Sequence, residues 1–346
     1  MTTGTTAVRN SSAARASIDQ LLTDLRPVEL VRSYRSGTHE NSHYGSLVIL
    51  DRDGTPVLQR GDVHRPVFHR SCAKPFQAIT MLELDLPLAG ADLALAAASH
   101  TGEPEHVHRA LGILGRSGFT EDDLGCPTTL PSDPAAYRSV IRGNGGPRRI
   151  FMNCSGKHAA MLATCRVQGW PSAGYLDVDH PLQQRIRVVM QTLTGEAPAG
   201  VGVDGCGAPV YATSLVALAR GFGRVASADL GSAGRLVADA MRDHPDMVGG
   251  TGVDDTRLMQ TIPGLLVKGG ADGVHCAALP DGRSIALTIA DGGDRARMPV
   301  LVGALRSLGL GARGSARDLL NELAVGTVLG GGQPVGTVEI VPGLFA

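Results

Sequence analysis

The sequence predicts an α+β protein: an antiparallel sheet built from strands at both ends of the chain, with a mostly helical region inserted between them. Two observations carry this. β-rich runs bounded by Gly/Asp turns cluster before residue 61 and again between residues 264 and 290. Between those clusters apolar residues recur at helical spacing. A doubly wound fold would alternate strand and helix throughout, and this chain does not.

In order, Val28 to Arg35 reads as a strand, and Tyr44 to Leu50 pairs with Thr55 to Arg60 across the turn Asp51-Arg52-Asp53-Gly54. A helix follows Ser71, because Phe76, Ile79 and Leu82 share one face and Pro75 stands where a missing N–H does least harm. Further helices are expected at 92–98, 104–114, 156–167, 181–193, 211–219 and 226–242, with Gly169 after one end. The runs 264–268, 274–279 and 283–290 form an antiparallel meander. Helices at 294–308 and 316–323 precede a final apolar segment. Residues 1–27, rich in Thr, Ser and Ala, read as a flexible lead-in to one catalytic domain over 28–346.

A formal net charge of −1 gives no electrostatic reason to bind nucleic acid or an anionic membrane. No apolar run approaches the ~20 residues that cross a bilayer, and the first residues lack the apolar core of a signal peptide. Six cysteines spread thinly over 346 residues argue for a reducing compartment, so a cytoplasmic location is expected. Of 32 basic residues only three are lysine: Lys74, Lys157 and Lys268. Where arginine already meets the need for surface charge, the remaining amines are candidates for work that needs a pKa burial can lower.

Ser71-Cys72-Ala73-Lys74 sets a hydroxyl and an amine three residues apart, so on a helix they share a face. A desolvated neutral lysine there can take the serine proton and make a nucleophile. A helix-capping serine followed by a solvated lysine would read the same way. Two further pieces favour the chemical reading. Ser99-His100-Thr101-Gly102-Glu103 follows an Ala/Leu-rich helix, and Lys268 closes an apolar strand before Gly269-Gly270. Serine β-lactamases and penicillin-binding proteins use S-x-x-K, a mid-chain serine loop and a K-T-G strand in that order. Here the last piece reads K-G-G. Cys154 and Cys206, on separate loops, are candidates to hold Zn²⁺, and residue types alone would add His158, four positions from Cys154. Small buried packing cysteines fit the same residues, and Cys72, Cys126, Cys165 and Cys276 are assigned that role. Most of the histidines between His39 and His108 read as surface or loop residues.

The blocks Ser71–Gln77, Ser99–His106, Asn153–His158, Asp204–Gly207 and Val267–Gly270 together resemble the asparaginase II family, whose members are similar to the inducible, thermolabile asparaginase of rhizobia. The resemblance runs from about Val28 to the C-terminus. It implies a serine β-lactamase-like fold, L-asparagine as substrate and two adjacent pairs, Ser71 with Lys74 and Ser99 with Lys268. It also implies a zinc ion on Cys154, Lys157 and Cys206, which replaces His158 by Lys157, and a homodimer.

On this reading Ser71 attacks the amide carbon after Lys74 removes its proton, and Ser99, polarised by Lys268, passes a proton to the leaving nitrogen. The sequence leaves open which serine is the nucleophile. Arg70 is a candidate for a substrate carboxylate, and Asp204 for a substrate ammonium or for orienting a ligand; a structural ion pair would account for either. Three rivals remain: a β-lactam hydrolase or esterase on the same fold, a zinc-hydroxide amidase, and an amino-acid-binding protein without catalysis. Asparagine and glutamine differ by one methylene, which sequence does not resolve.

Overall fold

The computed structural model describes residues 26–346, so the expected lead-in lies outside the described residues except for its last two positions. Strand β1 (Val28–Arg35) turns through Ser36-Gly37, both at positive φ, into the long β2 (Thr38–Leu50), and β3 (Pro56–Arg60) folds back on β2. The short β4 (Pro66–Phe68) then leaves the sheet, and a 3₁₀ turn over Arg70–Ala73 opens the helical region.

That region begins with α1 (Lys74–Glu83), α2 (Gly90–Ala96), α3 (Pro104–Arg116), α4 (Pro134–Arg142), α5 (Ser155–Gln168) and α6 (Pro181–Thr194). Strands β5 (Gly200–Val203) and β6 (Pro209–Ser214) follow, then α7 (Leu215–Ala226), α8 (Ala233–Asp243), α9 (Pro245–Val248) and α10 (Asp254–Thr261). The chain returns to the sheet through β7 (Leu266–Gly269), β8 (Val274–Ala278) and β9 (Ser284–Ile289). Helices α11 (Arg297–Ser307) and α12 (Gly314–Leu323) lead into the last hairpin, β10 (Gly326–Gly330) and β11 (Gln333–Ile340).

The main sheet runs β10-β11-β1-β2-β9-β8-β7, antiparallel throughout, with β3 pairing on β2. β1 and β11 are joined in register, Val31 opposite Ile340 and Ser33 opposite Val338, so both ends of the chain complete one sheet. This is the expected α+β layout. Helix α7 covers one face with Leu218 and Phe222, and α11 carries Val300, Leu301 and Leu305 against the sheet. Each such fully buried side chain contributes about 1.5–3 kcal/mol. α1 is buried from Lys74 to Met81 and packs on α5, α6 and α8, as a helix walled in on all sides must.

Three differences from the sequence reading have local causes. Residues 211–219 divide: Pro209–Ser214 is a strand of a second sheet, β4-β6-β5, and the helix starts at Leu215 with Ser214 as its cap. The β-branched Val210 and Thr213 and the aromatic Tyr211 favour the strand. The helix expected from 226 starts at Ala233, where the Ser232 hydroxyl caps the Arg235 N–H. Helices α4, α9 and α10 are additional to that reading, and α10 positions site residues.

No helix among the described residues is long and apolar enough to cross a membrane.

Candidate active site

The β7 edge of the main sheet meets the helical region at the 3₁₀ turn carrying Ser71. Four elements deliver the chemistry. The turn leads into α1, which starts with Lys74; Ser99 follows α2; Lys268 lies on β7; α10 brings Asp254 and Asp255. They line a cleft of about 400 Å³ with Ser71, Ser99, Asn153, Lys268 and Arg297 among its walls.

Ser99 is fixed by its neighbours' backbones. Its N–H donates to Val248 O at 2.9 Å, and the His100 N–H donates to Asn153 O at 3.1 Å. Two buried amines then reach its hydroxyl: Lys74 Nζ and Lys268 Nζ each lie 2.9 Å from Ser99 Oγ. Each amine keeps one backbone acceptor, Ala98 O at 2.5 Å for Lys74 and Gly269 O at 2.7 Å for Lys268. Burial, and then the charge on Lys74, push the Lys268 amine down to about 8.

The expected Ser99–Lys268 pair is therefore present, whereas the Lys74 amine sits on Ser99 rather than on Ser71. The Ser71 hydroxyl, half-buried in the cleft, makes no hydrogen bond among the described residues. No hydrogen bond joins Ser71 to Lys74: Ser71 lies in the 3₁₀ turn, and Lys74, the first residue of the α-helix, directs its amine to Ala98 O and Ser99 Oγ. Arg70, just before Ser71, has φ +49°, a strained turn into the nucleophile candidate.

Arg70 and Asp204 meet each other: Arg70 Nε donates to Asp204 Oδ1 at 2.8 Å, and the same guanidinium contacts Asp272. Arg70 is thus engaged in ion pairs that brace the Ser71 turn. Beyond it runs a larger groove of about 630 Å³, lined by Arg65, Phe68 and Asp272, which none of the lysines reaches. Burial opposes ionisation of Asp204, but the Lys157 charge, the Gly205 N–H and Arg70 hold its carboxyl below the usual range.

Cys154 caps the N-terminus of α5, Lys157 lies in its first turn, and Cys206 comes from the loop between β5 and β6. All three are buried, with Lys157 Nζ at 3.1 Å from Cys206 Sγ. A hydrogen bond from Cys206 and the charges on Lys74 and Lys157 pull the Cys154 thiol down, against burial, while the same bond and burial push Cys206 up. Burial works against the Lys157 charge, yet the two thiol groups outweigh it and hold the amine above its ordinary value. Among the described residues no three His, Cys, Asp or Glu side chains converge as a metal set. The convergence is of two thiols and an amine, sulfur and nitrogen donors that suit Zn²⁺. His158 bonds Tyr175 OH through Nδ1 at 2.7 Å; its Nε2 is buried without a hydrogen-bond partner, and Cys206 is among the groups acting on the ring.

Sequence reading passed over three cleft residues. Asp255 accepts the Gly269 N–H at 2.6 Å and pairs with His275 Nε2 at 2.9 Å. Arg297 lies beside them, donating to Gly270 O at 2.5 Å. The signal was the doubled acid Asp254-Asp255 after a glycine-rich loop, a helix start with acids in its first turn. Cys72 and Cys276 do pack in the core, and Cys72 also donates to Lys268 O at 3.1 Å.

A family model described as L-asparaginase II matches residues 31–340. Among solved structures, a candidate beta-lactamase from Bacteroides dorei DSM 17855 is similar at 13% identity and TM-score 0.40, over 85% of this chain and 96% of that one. EstCE1, a hydrolase with promiscuous acyltransferase activity, aligns at 12% identity and TM-score 0.36 over 83% of this chain and 96% of its own. Comparison with curated proteins gives no match.

Proposed function

The chain belongs to the L-asparaginase II family, and on that premise we propose that it hydrolyses the side-chain amide of L-asparagine to aspartate and ammonia through a serine ester. The observation that carries the reading is the Ser99 hydroxyl held between two buried amines beside an unengaged Ser71 hydroxyl.

An oxygen that already accepts two N–H bonds has both lone pairs occupied, so Ser99 is the poorer nucleophile and the better proton conduit. Ser71, with its lone pairs unengaged, attacks the amide carbon, and its proton passes to Lys74, whose amine must be neutral and turn from Ser99 to take it. The leaving nitrogen departs as ammonia only if it gains a proton. Ser99 supplies it, re-protonated by the Lys268 ammonium at 2.9 Å. Water then hydrolyses the ester by the reverse path. The N–H groups of Ser71 and Ala271 make no hydrogen bond among the described residues and line the same cleft, which suits them to the oxyanion.

The cleft also offers opposite charges for an amino acid: Arg297 for the α-carboxylate, and Asp254 for the α-ammonium. Both guanidiniums are ion-paired, Arg70 to Asp204 and Arg297 to Asp294 at 3.2 Å, but Arg297 is the one that lines the cleft with Ser71 and Ser99. Cys154, Lys157 and Cys206 would hold a zinc ion, with His158 as the adjacent unpartnered donor. When bound, the ion supplies a Lewis acid that fixes the polar end of the substrate. Lys157 must then release its proton, so affinity rises with pH. The homodimer implied by the resemblance is part of the same proposal and is checked by sedimentation equilibrium.

A substrate panel tests the reading: ammonia from L-asparagine and L-glutamine, against turnover of a chromogenic β-lactam and a short acyl ester. Amide turnover well above the other two is expected. Ester or β-lactam turnover without ammonia release would transfer the assignment to the rival hydrolases, and tight asparagine binding without turnover would make this a binding protein.

A further inference from the structure

Resting on the Ser99–Lys268 reading above, we infer that Asp255, anchored by His275, is the positioning residue that holds Lys268 in place and in its proton-bearing form. β7 ends the sheet, with β8 as its one neighbour in the sheet order. The Gly269 N–H is taken by Asp255 Oδ2 at 2.6 Å, while the carbonyl of the same peptide, Lys268 O, accepts the Cys72 thiol at 3.1 Å. The peptide that carries Lys268 is thus gripped at both polar ends.

The other carboxylate oxygen, Oδ1, lies 2.9 Å from His275 Nε2, and His275 stands directly across the ladder from Gly269. The pair is shielded, with side chains 14% and 3% exposed, so its charge is little screened by water. Gly269 makes this approach possible. A Cβ there would lie 3.3 Å from Asp255 Oδ2, 3.4 Å from Arg297 Nη1 and 3.7 Å from His275 Nε2. The K-G-G variant of the strand motif leaves room for a carboxylate where a K-T-G strand carries a side chain.

Lys268 is faced by Lys74 from α1, Cys72 from the 3₁₀ turn, Cys154 from the start of α5 and Asp255 from α10, with His275 and Cys276 on β8. Asp254, Asp294 and Arg297 line the cleft beside it. Burial and the Lys74 charge favour the neutral amine, and among these neighbours Asp255 is the carboxylate that opposes them. Asp255 stays ionised against its own burial because His275, Lys268 and the Gly269 N–H hold its carboxyl well below the usual range. Without that charge Lys268 would lose its proton at lower pH, and Ser99 would lose its supply.

The chain has three lysines in all, so protein labelled with ¹³C at lysine Cε gives three side-chain resonances that can be followed through pH. The Lys268 signal is the one lost in Lys268→Met. Asp255→Asn is expected to lower its midpoint by about one pH unit or more, and to move the alkaline limb of ammonia release with it. An unmoved midpoint in folded Asp255→Asn overturns the inference. Should that variant not fold, His275→Leu and His275→Gln decide. Leucine is expected to lower kcat about tenfold with KM unchanged, and glutamine, whose amide can still donate to Asp255, to restore it. Equal loss in both variants rejects the role. Ser99→Ala is measured in parallel. If it retains full ammonia release, the reading of the site fails; if it is inactive while the Lys268 midpoint is unmoved, only the inference about Asp255 fails.

Discussion

Replacing Ser99 by alanine separates catalysis from folding. The change removes one oxygen and with it two hydrogen bonds from buried amines, each charge-assisted bond being worth about 1.5–3 kcal/mol at most. Neither amine is stranded, because Lys74 keeps Ala98 O and Lys268 keeps Gly269 O. The stability loss should therefore fall near the low end of the two-bond sum, about 3 kcal/mol, read as a shift in urea midpoint at unchanged m-value. Activity should fall far more. A positioned proton donor contributes about 10²–10⁴-fold, and Ser99 is the hydroxyl that links both lysines. The assay is steady-state ammonia release from asparagine, with circular dichroism to verify the fold. Activity within tenfold of wild type would refute the proton path.

Cys154→Ala and Cys206→Ala should each reduce bound zinc from about one equivalent to near zero, measured by elemental analysis after dialysis. Arg297→Ala should raise KM for asparagine more than tenfold while kcat falls less, because a carboxylate anchor is lost. Gly156→Ala, at the packing of α5 on α2, sets a Cβ 2.5 Å from Leu95 Cγ and 2.7 Å from Leu95 O, and should cost about 1–3 kcal/mol in urea unfolding. Lys268, pushed down to about 8 in the fold from an ordinary 10.5, binds fewer protons folded than unfolded between those values. Stability should thus rise with pH across that window and stay level in Lys268→Met. Over the same rise kcat/KM should fall as the proton donor is lost.

Much of this fold could be read from local chemistry. Strands with a buried face announce themselves by pattern: β1 occupies the residues expected of it, and the meander differs by one or two positions at its ends. Strand β6 was hidden because six residues buried throughout show no alternation to detect, and Tyr211–Ala219 passes for helix on apolar content alone, while β4, three residues long, is too short to carry a pattern. At the site, the scarcity of lysine singled out the three amines that the fold buries. What spacing could not supply was the partner of Lys74. The i,i+3 argument set Lys74 against Ser71 alone, whereas the acceptors its amine takes, Ala98 O and Ser99 Oγ, lie 24 and 25 residues on, beyond α2. Asp255 and His275 were invisible for a different reason: they meet across a sheet edge, twenty residues apart, and belong to no shared motif.

Rates of ammonia production from L-asparagine by wild type and Ser71→Ala, measured side by side on folded protein, bear most directly on the claim of a serine-based amidase. The account predicts equal yields of ammonia and aspartate from the wild type, and a loss of at least about 10³-fold in the variant. Substantial turnover by Ser71→Ala, or none by the wild type, would contradict it.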